Sequence, residues 1–365
     1  MSTTETASPV HDAAHPKRIA LQAAVNALIP LGAAGAQFRV SVGDGGFVTR
    51  AGLREFGTAD PVPANGRFRI ACITKMFVSV VLLQLKAEGK VDLDATVASI
   101  APDLLPEHGG AVTVRNLLQH TSGLFNHADS FQRPGVRFQR DRYNHYDAAD
   151  LVAVAAARPL NFEPGSTFEY SNTNYIALGL IIKAITGNTY AQEIETRVLR
   201  PLGLDDTLLP GDDPTIPGAH ARGYMQIGGE SVDVTEMNPS EACSAGEMLS
   251  TTADLDAFLV ALMGGRLLAP AEFAEMKTTV PPEWVPLPMS NGYGLGFMPL
   301  ETDCGLSLWG HGGGIPGYAT FVGASLDGTR RLVASITLDI DPDDFSGTFE
   351  DGVVAALNAA AECLL

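Results

Sequence analysis

The sequence lacks the features that would place the chain in a membrane or direct it out of the cell. No run of apolar residues approaches the length of about 18 that is needed to cross a bilayer. The N-terminal stretch has no basic start followed by an apolar run and a small-residue cleavage site, so no secretory signal is recognised. We therefore predict a cytoplasmic protein with no membrane partner.

Basic residues are scarce. The chain has 24 Lys and Arg against 42 Asp and Glu, a formal net charge of −18. Because phosphate binding needs a basic face, nucleic acid is excluded as a partner. One local exception is the stretch RPGVRFQRDR, which contains Arg133, Arg137, Arg140 and Arg142. It is either a solvated loop or a docking patch for an anionic substrate or an acidic carrier protein.

Cysteine is also rare, with four residues and no C-x-x-C pair. No Cys/His cluster has the spacing of a zinc site, and no G-K-[ST] follows the glycine-rich HGGG stretch as a phosphate cradle requires. We expect neither a metal nor an organic cofactor. Cys304 and Cys363 are candidates for a disulfide, but a cytosolic location favours free thiols.

Strand signals lie at both ends of the chain and flank a helical middle. The C-terminal part contains four strand-like segments, and residues 37–50 suit a hairpin. The pattern predicts an α+β fold with one antiparallel sheet built from both termini and flanked by helices. We assign residues 1–16 to a disordered N-terminus, 17–75 and 286–365 to a sheet subdomain, and 76–285 to an inserted, mostly helical subdomain. The active site is expected at the interface between the two subdomains.

The segment CITKMFVSVVLLQLKAEGK reads as a helix that begins near Cys72 and ends near Gly89. It is apolar almost all round, which is typical of a buried helix. Burying the Lys75 ammonium without a partner would cost several kcal/mol. We therefore expect Lys75 to face a polar cavity.

Three short motifs stand far apart: Cys72 to Lys75, Tyr170 to Asn172 in FEYSNTNY, and His311 to Gly313 in WGHGGGIPGY. Each alone is weak evidence. In this order they resemble the S-x-x-K, Y-x-N and H-x-G set of the penicillin-recognising enzymes, with cysteine in place of serine. The flanks GKVDLDATV, TVRNLLQHTSGL and PGSTFEYSNTNY also resemble the class C β-lactamase and Streptomyces-type D,D-carboxypeptidase family, over about residues 37–340. The resemblance implies a β-lactamase/transpeptidase-like fold.

The resemblance also implies the catalytic roles. Cys72 would be the nucleophile, and Lys75, one helical turn on, would govern its protons. Tyr170 would be the general base, with its phenol pKa lowered by Lys75. Asn172 would orient Lys75 and a substrate amide. His311 would be a second proton carrier near Tyr170.

Around that centre, the resemblance places the oxyanion hole at the backbone N–H groups of Cys72 and Gly314. Gly312 and Gly313 would let the substrate lie against their strand, and Trp309 is a candidate substrate contact. His120 is interpreted as a structural hydrogen-bond donor. Cys243, in the helical middle, is interpreted as a small buried hydrophobe, and a position lining the cleft is the alternative.

The thiol shifts the expected chemistry. A thiol at a helix N-terminus beside lysine has a depressed pKa, which favours a thiolate. Acyl transfer between sulfurs is near thermoneutral, and a thioester intermediate reacts readily with amines. We therefore predict an acyltransferase that passes a peptidyl or related acyl group from a thioester or ester to an amine, as a thioesterase/peptide cyclase or an amide-forming transacylase. The substrate would be a small molecule or a peptide, either free or bound to a carrier protein.

The alternative is a hydrolase of the same family, such as a D,D-peptidase, an esterase or a β-lactamase. No Lys or Arg occurs between Lys277 and Arg330, and the third motif is H-G-G rather than H-T-G, which argues against carboxypeptidase activity. The pattern resembles the penicillin-binding-protein-type thioesterases of nonribosomal peptide synthesis, although those often carry an extra C-terminal β-barrel. A peptide-binding pseudoenzyme and an engineered serine-to-cysteine replacement at Cys72 stay open.

Overall fold

The computed structural model describes residues 15–131, 135–281, 289–341 and 347–365. Most of the predicted disordered segment 1–16 lies outside these residues, although Pro16 begins the first helix. Along the described chain, no helix is both long and apolar enough to span a bilayer.

The helices follow in chain order. They are α1 Pro16–Ala27, α2 Thr74–Ala87, α3 Val97–Ile100, α4 Val114–Leu118, α5 Val136–Asp141, α6 Ala148–Ala156, α7 Asn172–Thr186, α8 Tyr190–Ile194, α9 Arg200–Leu202, α10 Cys243–Gly246, α11 Thr252–Met263, α12 Pro270–Met276 and α13 Thr348–Glu362. Short 3₁₀ turns cover Ile29–Leu31, Ala71–Ile73, His127–Ser130 and Pro239–Glu241, and a π-helical turn covers Glu195–Leu199. Long helices thus alternate with single turns and loops.

The strands are β1 Ala33–Val42, β2 Gly45–Gly52, β3 Phe68–Arg69, β4 Tyr224–Ile227, β5 Glu230–Asp233, β6 Leu249–Ser250, β7 Met298–Glu301, β8 Ser307–Ile315, β9 Tyr318–Ala324 and β10 Arg330–Ile340. The main sheet has the order β2-β1-β10-β9-β8-β7, and these neighbours run antiparallel. N-terminal β1 therefore pairs directly with C-terminal β10. This confirms the predicted α+β fold, with one sheet assembled from both ends of the chain.

Each face of the sheet is covered by helices. On one face, α1 and α13 pack together over an apolar layer that includes Leu21, Phe38 and Val353. On the other face, α11 contacts β1, β9 and β10, and a second and larger core surrounds α2 and α7. Burial of apolar side chains against both faces supplies the main driving force for this layered packing.

The middle of the chain, predicted as mostly helical, also contributes short strands. Strand β4 pairs parallel with β10, and β4 and β5 form a hairpin at the end of the sheet. Strand β6 pairs with β3, just before Cys72. The segment 291–300, which the sequence pattern predicts as a strand throughout, forms regular strand only from Met298. Alternating glycines there leave the preceding residues as bends rather than a ladder.

The predicted buried helix is present as α2, preceded by the 3₁₀ turn Ala71–Ile73. Eleven of its residues are buried, including Lys75 and Met76. The helix ends at Ala87, and Gly89 follows in a left-handed conformation with φ of 69°. Glycine adopts this conformation without steric cost, which explains the stop.

Candidate active site

Cys72 lies in the 3₁₀ turn immediately before α2, at the junction of the sheet and the helical region. The preceding Ala71 has φ of 49°, an unusual backbone conformation for a residue with a side chain. Strand β8 packs against this turn. A Cβ added to Gly313 would lie 2.5 Å from the carbonyl oxygen of Ile70 and 2.9 Å from the amide nitrogen of Cys72. Only glycine at position 313 allows so close an approach.

Lys75 is completely buried, and its ammonium has two oxygen acceptors. Nζ donates to Oδ1 of Asn172 at 2.8 Å and to the carbonyl oxygen of Ala245 at 2.7 Å. Asn172 is the first residue of α7, and Ala245 belongs to α10. The first and second motifs therefore meet as predicted. The part of Ala245 in holding the lysine is not visible in the sequence, since a backbone carbonyl carries no residue signature.

The Cys72 thiol borders a cavity, and its pKa lies below the ordinary value. Burial raises this pKa, but the charge of Lys75 and hydrogen bonds from Tyr170, Lys75 and the Gly314 N–H together outweigh burial. Burial lowers the pKa of Lys75, and the nearby Cys72 opposes that shift. Since opposite charges stabilise each other, we expect a thiolate beside an ammonium.

Tyr170 differs from the sequence prediction. Burial raises its pKa well above the ordinary value, and the nearby Cys72 raises it further. Lys75 Nζ lies 5.0 Å from the centre of the Tyr170 ring, over the ring face. The hydroxyl is buried, with no nitrogen or oxygen partner within hydrogen-bonding distance in the described residues. The predicted lowering of the pKa of Tyr170 is therefore wrong, and this phenol is placed to donate a proton.

His311 lies on β8 and is buried, and its ring contacts Tyr293. The Tyr293 hydroxyl is 3.1 Å from Nε2 of His311 and 3.2 Å from Nε2 of His120. Nδ1 of His311 meets the carbonyl oxygen of Gly312. Tyr293 also packs edge-on against the Tyr170 ring, with centroids 6.2 Å apart, so His311 and Tyr170 share a neighbour. The role of His311 as a second proton carrier near Tyr170 stays a prediction.

The hydrogen bonds fix the tautomers of both rings. The backbone N–H of Ser171 donates to Nδ1 of His120 at 3.2 Å, so Nε2 carries the proton and donates to Tyr293. Tyr293 then donates to Nε2 of His311, whose Nδ1 proton goes to Gly312. Burial, followed by the charge of Lys75, lowers the pKa of His311 to about 3. His311 is therefore neutral at physiological pH.

Sequence reasoning missed Tyr293 and gave His120 only a structural role. His120 links the second motif to Tyr293, because it accepts from Ser171 and from Nδ2 of Asn174, the latter at 3.0 Å. Its φ of 57° is one of three positive values among non-glycine residues in the described chain. His120 lies in the segment LLQHTSGL and Tyr293 in NGYGLGF, but nothing in their spacing along the sequence shows that the two side chains meet.

The glycine-rich strand carries the predicted oxyanion donor. The Gly314 N–H interacts with the Cys72 sulfur, and both residues border the cavity. Gly312 and Gly313 are not among the residues that border the cavity, and Gly313 packs closely against the Cys72 turn. Their contact with substrate stays a prediction. Trp309 also lies away from the cavity and packs on Phe297, with ring centroids 5.4 Å apart.

The cavity beside Cys72 has a volume of about 350 Å³. Its wall is mainly apolar, and several polar or charged side chains also contribute to it. The lining includes Phe131, Phe138, Tyr146, Met237, Ile315, Asp141, Arg142 and Glu241.

The arginine patch contributes one residue to the cavity wall. Arg142 donates to the carbonyl oxygen of Asp233 at 2.6 Å, and Arg140 pairs with Asp141 at 2.7 Å. Arg133 and the Arg137 side chain lie outside the described residues. The described arginines of the patch are thus engaged within the protein.

The remaining thiols take no part in the cavity wall. All four cysteines are free, so Cys304 and Cys363 do not pair. Cys243 begins α10 and contacts the Tyr190 hydroxyl at 3.5 Å. Nowhere in the described residues do three or more His, Cys, Asp or Glu side chains come together in a way that could hold a metal.

Comparisons with known proteins agree with this architecture. Residues 24–358 match the family model described as Beta-lactamase. The D-stereospecific amidohydrolase from Streptomyces sp. superposes with a TM-score of 0.83 and 35% identity, covering 93% of this chain and 98% of that one. The D-amino acid amidase from Ochrobactrum anthropi SV3, complexed with L-phenylalanine amide, gives a TM-score of 0.84 at 29% identity, covering 95% and 98%.

Curated relatives include Penicillin-binding protein 4* of Bacillus subtilis (strain 168), which is 26% identical over 77% of this chain and 63% of its own length. Protein flp of Staphylococcus aureus (strain MW2) is 31% identical over 52% of this chain and 37% of its own length. The chain thus spans less than two thirds of these curated relatives. The family model, in contrast, covers most of the chain, and this protein accordingly belongs to the Beta-lactamase family.

Proposed function

We propose that this protein is a D-stereospecific amidohydrolase that uses Cys72 as its nucleophile. The observation that carries the proposal is the Cys72 thiol at the cavity wall, with its pKa depressed beside the buried Lys75. The chain matches 98% of the length of two structural neighbours. One is described as a D-stereospecific amidohydrolase and the other as a D-amino acid amidase. The substrate would be a small amide, ester or peptide, and the location cytoplasmic.

In the proposed reaction, the Cys72 thiolate attacks the carbonyl carbon, and the carbonyl electrons move onto oxygen. The N–H groups of Cys72 and Gly314 would hold that oxyanion. Collapse breaks the bond to the leaving amine or thiol, and Tyr170 supplies its proton. The Tyr170 phenolate would then take a proton from the incoming water, which attacks the thioester and releases the acid with regeneration of the thiolate.

A second candidate, transfer of the acyl group to an amine, is favoured by the same thiol. A thioester intermediate is close in energy to a thioester donor. A thioester also prefers an amine over water as its attacking group, and this preference is stronger than that of an oxygen ester. The apolar lining of the cavity around Phe131, Phe138 and Met237 supports partial exclusion of water. The donor in this version would be a peptidyl or other acyl thioester, free or bound to a carrier protein.

The test is intact-mass spectrometry with D- and L-phenylalanine amide and with the corresponding thioesters, followed by product analysis with and without an added amine. We expect a mass gain that maps to Cys72, faster turnover of the D-compounds, and free acid as the product of the amide. Cys72→Ala should give no adduct. Cys72→Ser should raise the ratio of the amide hydrolysis rate to the thioester turnover rate above that of the wild type.

The outcomes separate the readings. An amine-linked product in place of the acid would establish the transferase. An equal rate for the D- and L-compounds would remove the stereospecific part of the proposal. Absence of any adduct from amides, esters, thioesters and β-lactams would overturn the proposed function and favour the peptide-binding pseudoenzyme.

A further inference from the structure

A buried carboxyl group lies close to the site and takes no part in the chemistry described above. Glu247 is 3% exposed and directly follows α10, whose Ala245 carbonyl holds Lys75. Among the described residues, no Lys or Arg forms a salt bridge with it. An ionised acid in such a place is costly unless hydrogen bonds satisfy it, so its contacts are informative.

Tyr190 connects Glu247 to the other end of α10. The Tyr190 hydroxyl donates to Oε1 of Glu247, and the Cys243 thiol donates to the Tyr190 oxygen at 3.5 Å. The Glu247 N–H in turn donates to the Cys243 carbonyl at 3.0 Å. Cys243 has φ of 43°, a strained value that the surrounding contacts must maintain. These bonds clamp both ends of the short helix.

Ala245 lies at the centre of the clamped segment. Its carbonyl accepts from the Lys75 ammonium, as do Oδ1 of Asn172 and the Cys72 sulfur. Ala245 and Gly246 also line the cavity. A small rotation of α10 would therefore lengthen the bond to Lys75 and weaken the charge that stabilises the Cys72 thiolate.

We propose that Glu247 is a positioning residue for Lys75, and that its ionised form holds Tyr190 and α10 in the arrangement that presents the Ala245 carbonyl to the ammonium. The inference rests on the proposed Cys72 acyl-enzyme and extends it to a residue outside the three motifs. It makes the reactivity of the thiol depend on the protonation of a carboxyl group that touches neither substrate nor nucleophile.

The surroundings set the pH range of this device. Burial raises the pKa of Glu247 to about 7, opposed by hydrogen bonds from Tyr190 and the Gly211 N–H, and assisted by the negative charge of Asp212. The groups that face it are Tyr190 from α8, Cys243 from α10 and Asp212 from the loop before β4. Below pH 7 the Glu247 carboxyl gains a proton, so one of its oxygens becomes a donor. The hydrogen bond from Tyr190 then weakens, and the contacts that hold α10 loosen.

The experiment measures the rate of alkylation of Cys72 by iodoacetamide from pH 5 to 9, read by peptide mass spectrometry, in the wild type, Glu247→Gln and Tyr190→Phe. Both variants should slow alkylation at pH 7.5 about threefold to tenfold and remove a step in the profile near pH 7. Glu193→Gln is the matched control, because Glu193 is also buried and hydrogen-bonded but forms an ion pair with Arg197 at 2.5 Å. It should follow the wild type.

Alkylation needs no substrate, so its result is independent of whether the amidohydrolase proposal holds. Thermal melting of each variant at pH 7.5 separates a positioning effect from unfolding. If Glu247→Gln keeps its fold and its profile overlays the wild type, the positioning role is overturned. If Glu247→Gln melts early, Tyr190→Phe decides, since it retains the carboxyl and breaks only the clamp.

Discussion

Tyr293 bridges two buried imidazoles: its hydroxyl lies 3.1 Å from Nε2 of His311 and 3.2 Å from Nε2 of His120. Neither ring has space for a second proton without breaking this chain. Ser171 occupies Nδ1 of His120 as a donor, and the Gly312 carbonyl takes the one proton on Nδ1 of His311. The chain therefore locks the third motif to the second motif only while both histidines are neutral.

Acid should destabilise the protein through these rings. Burial lowers the pKa of His311 to about 3 and that of His127 to about 4, and lowers the pKa of His120 well below its usual value. The unfolded rings take up protons near pH 6.5, so stability is present above that pH and is lost as the pH falls. From pH 6.5 to 5, each ring costs about 2 kcal/mol at about 1.4 kcal/mol per pH unit.

Urea unfolding at pH 7.5, 6 and 5 checks this expectation. His311→Gln should flatten the slope by close to one proton. His145 gives a control of opposite sign, because hydrogen bonds to Asp212 and Asp147 raise its pKa. His145→Gln should remove a contribution that favours the folded state at low pH. A His311→Gln slope equal to that of the wild type would contradict the neutral ring.

Replacement of Lys75 by methionine should suppress the reactivity of Cys72. Burial alone raises the pKa of the thiol, and the charge of Lys75 is the largest of the effects that lower it. Without the ammonium, the midpoint of iodoacetamide alkylation should move above the ordinary thiol range near 8.5, with at least a tenfold loss of rate at pH 7.5. Lys86→Met is the matched control on α2, since Lys86 pairs with Glu272 and Glu275 away from the site.

Tyr170→Phe should separate nucleophile activation from proton donation. Because the phenol pKa is raised, Tyr170 is protonated at rest and does not take the thiol proton, although its hydrogen bond assists Lys75 in lowering the Cys72 pKa. Alkylation of Cys72 should change less than tenfold, whereas turnover of an amide should fall by about 10² to 10⁴, the usual contribution of a general acid. Tyr143→Phe, on an exposed ring, is the control. A parallel loss of alkylation and turnover would restore the role of base.

The outline of this site was predictable because its side chains carry their chemistry in the sequence. The three motifs, in their order along the chain, predict one active site, and the structure brings together Cys72, Lys75, Tyr170, Asn172 and Gly314. What the sequence could not supply depends on burial. The pKa of Tyr170 rises because desolvation outweighs Lys75, and that balance exists only once the core has formed.

The remaining differences arise from contacts between distant backbone and side-chain groups. Ala245 contributes a carbonyl, which any residue would provide, and Tyr293 meets His120 across 173 positions of sequence. Strand β4 pairs with β10 at Asp339 and Ile340, because β10 extends beyond the residues that pair with β9. Local patterns predict elements, but such long-range meetings have no local signature.

Two adjacent glycines on β8 provide the clearest steric prediction. A Cβ at Gly313 would meet the Ile70 carbonyl at 2.5 Å, whereas a Cβ at Gly314 would meet nothing within 4 Å. Gly313→Ala must push β8 away from the turn that carries Cys72, at a cost of about 1–3 kcal/mol. The free energy of unfolding of Gly314→Ala should lie within about 0.5 kcal/mol of the wild-type value. Thermal melting and Cys72 alkylation of the two variants test this together. Equal effects would show that β8 does not set the position of the nucleophile, whereas a loss confined to Gly313→Ala would show that it does.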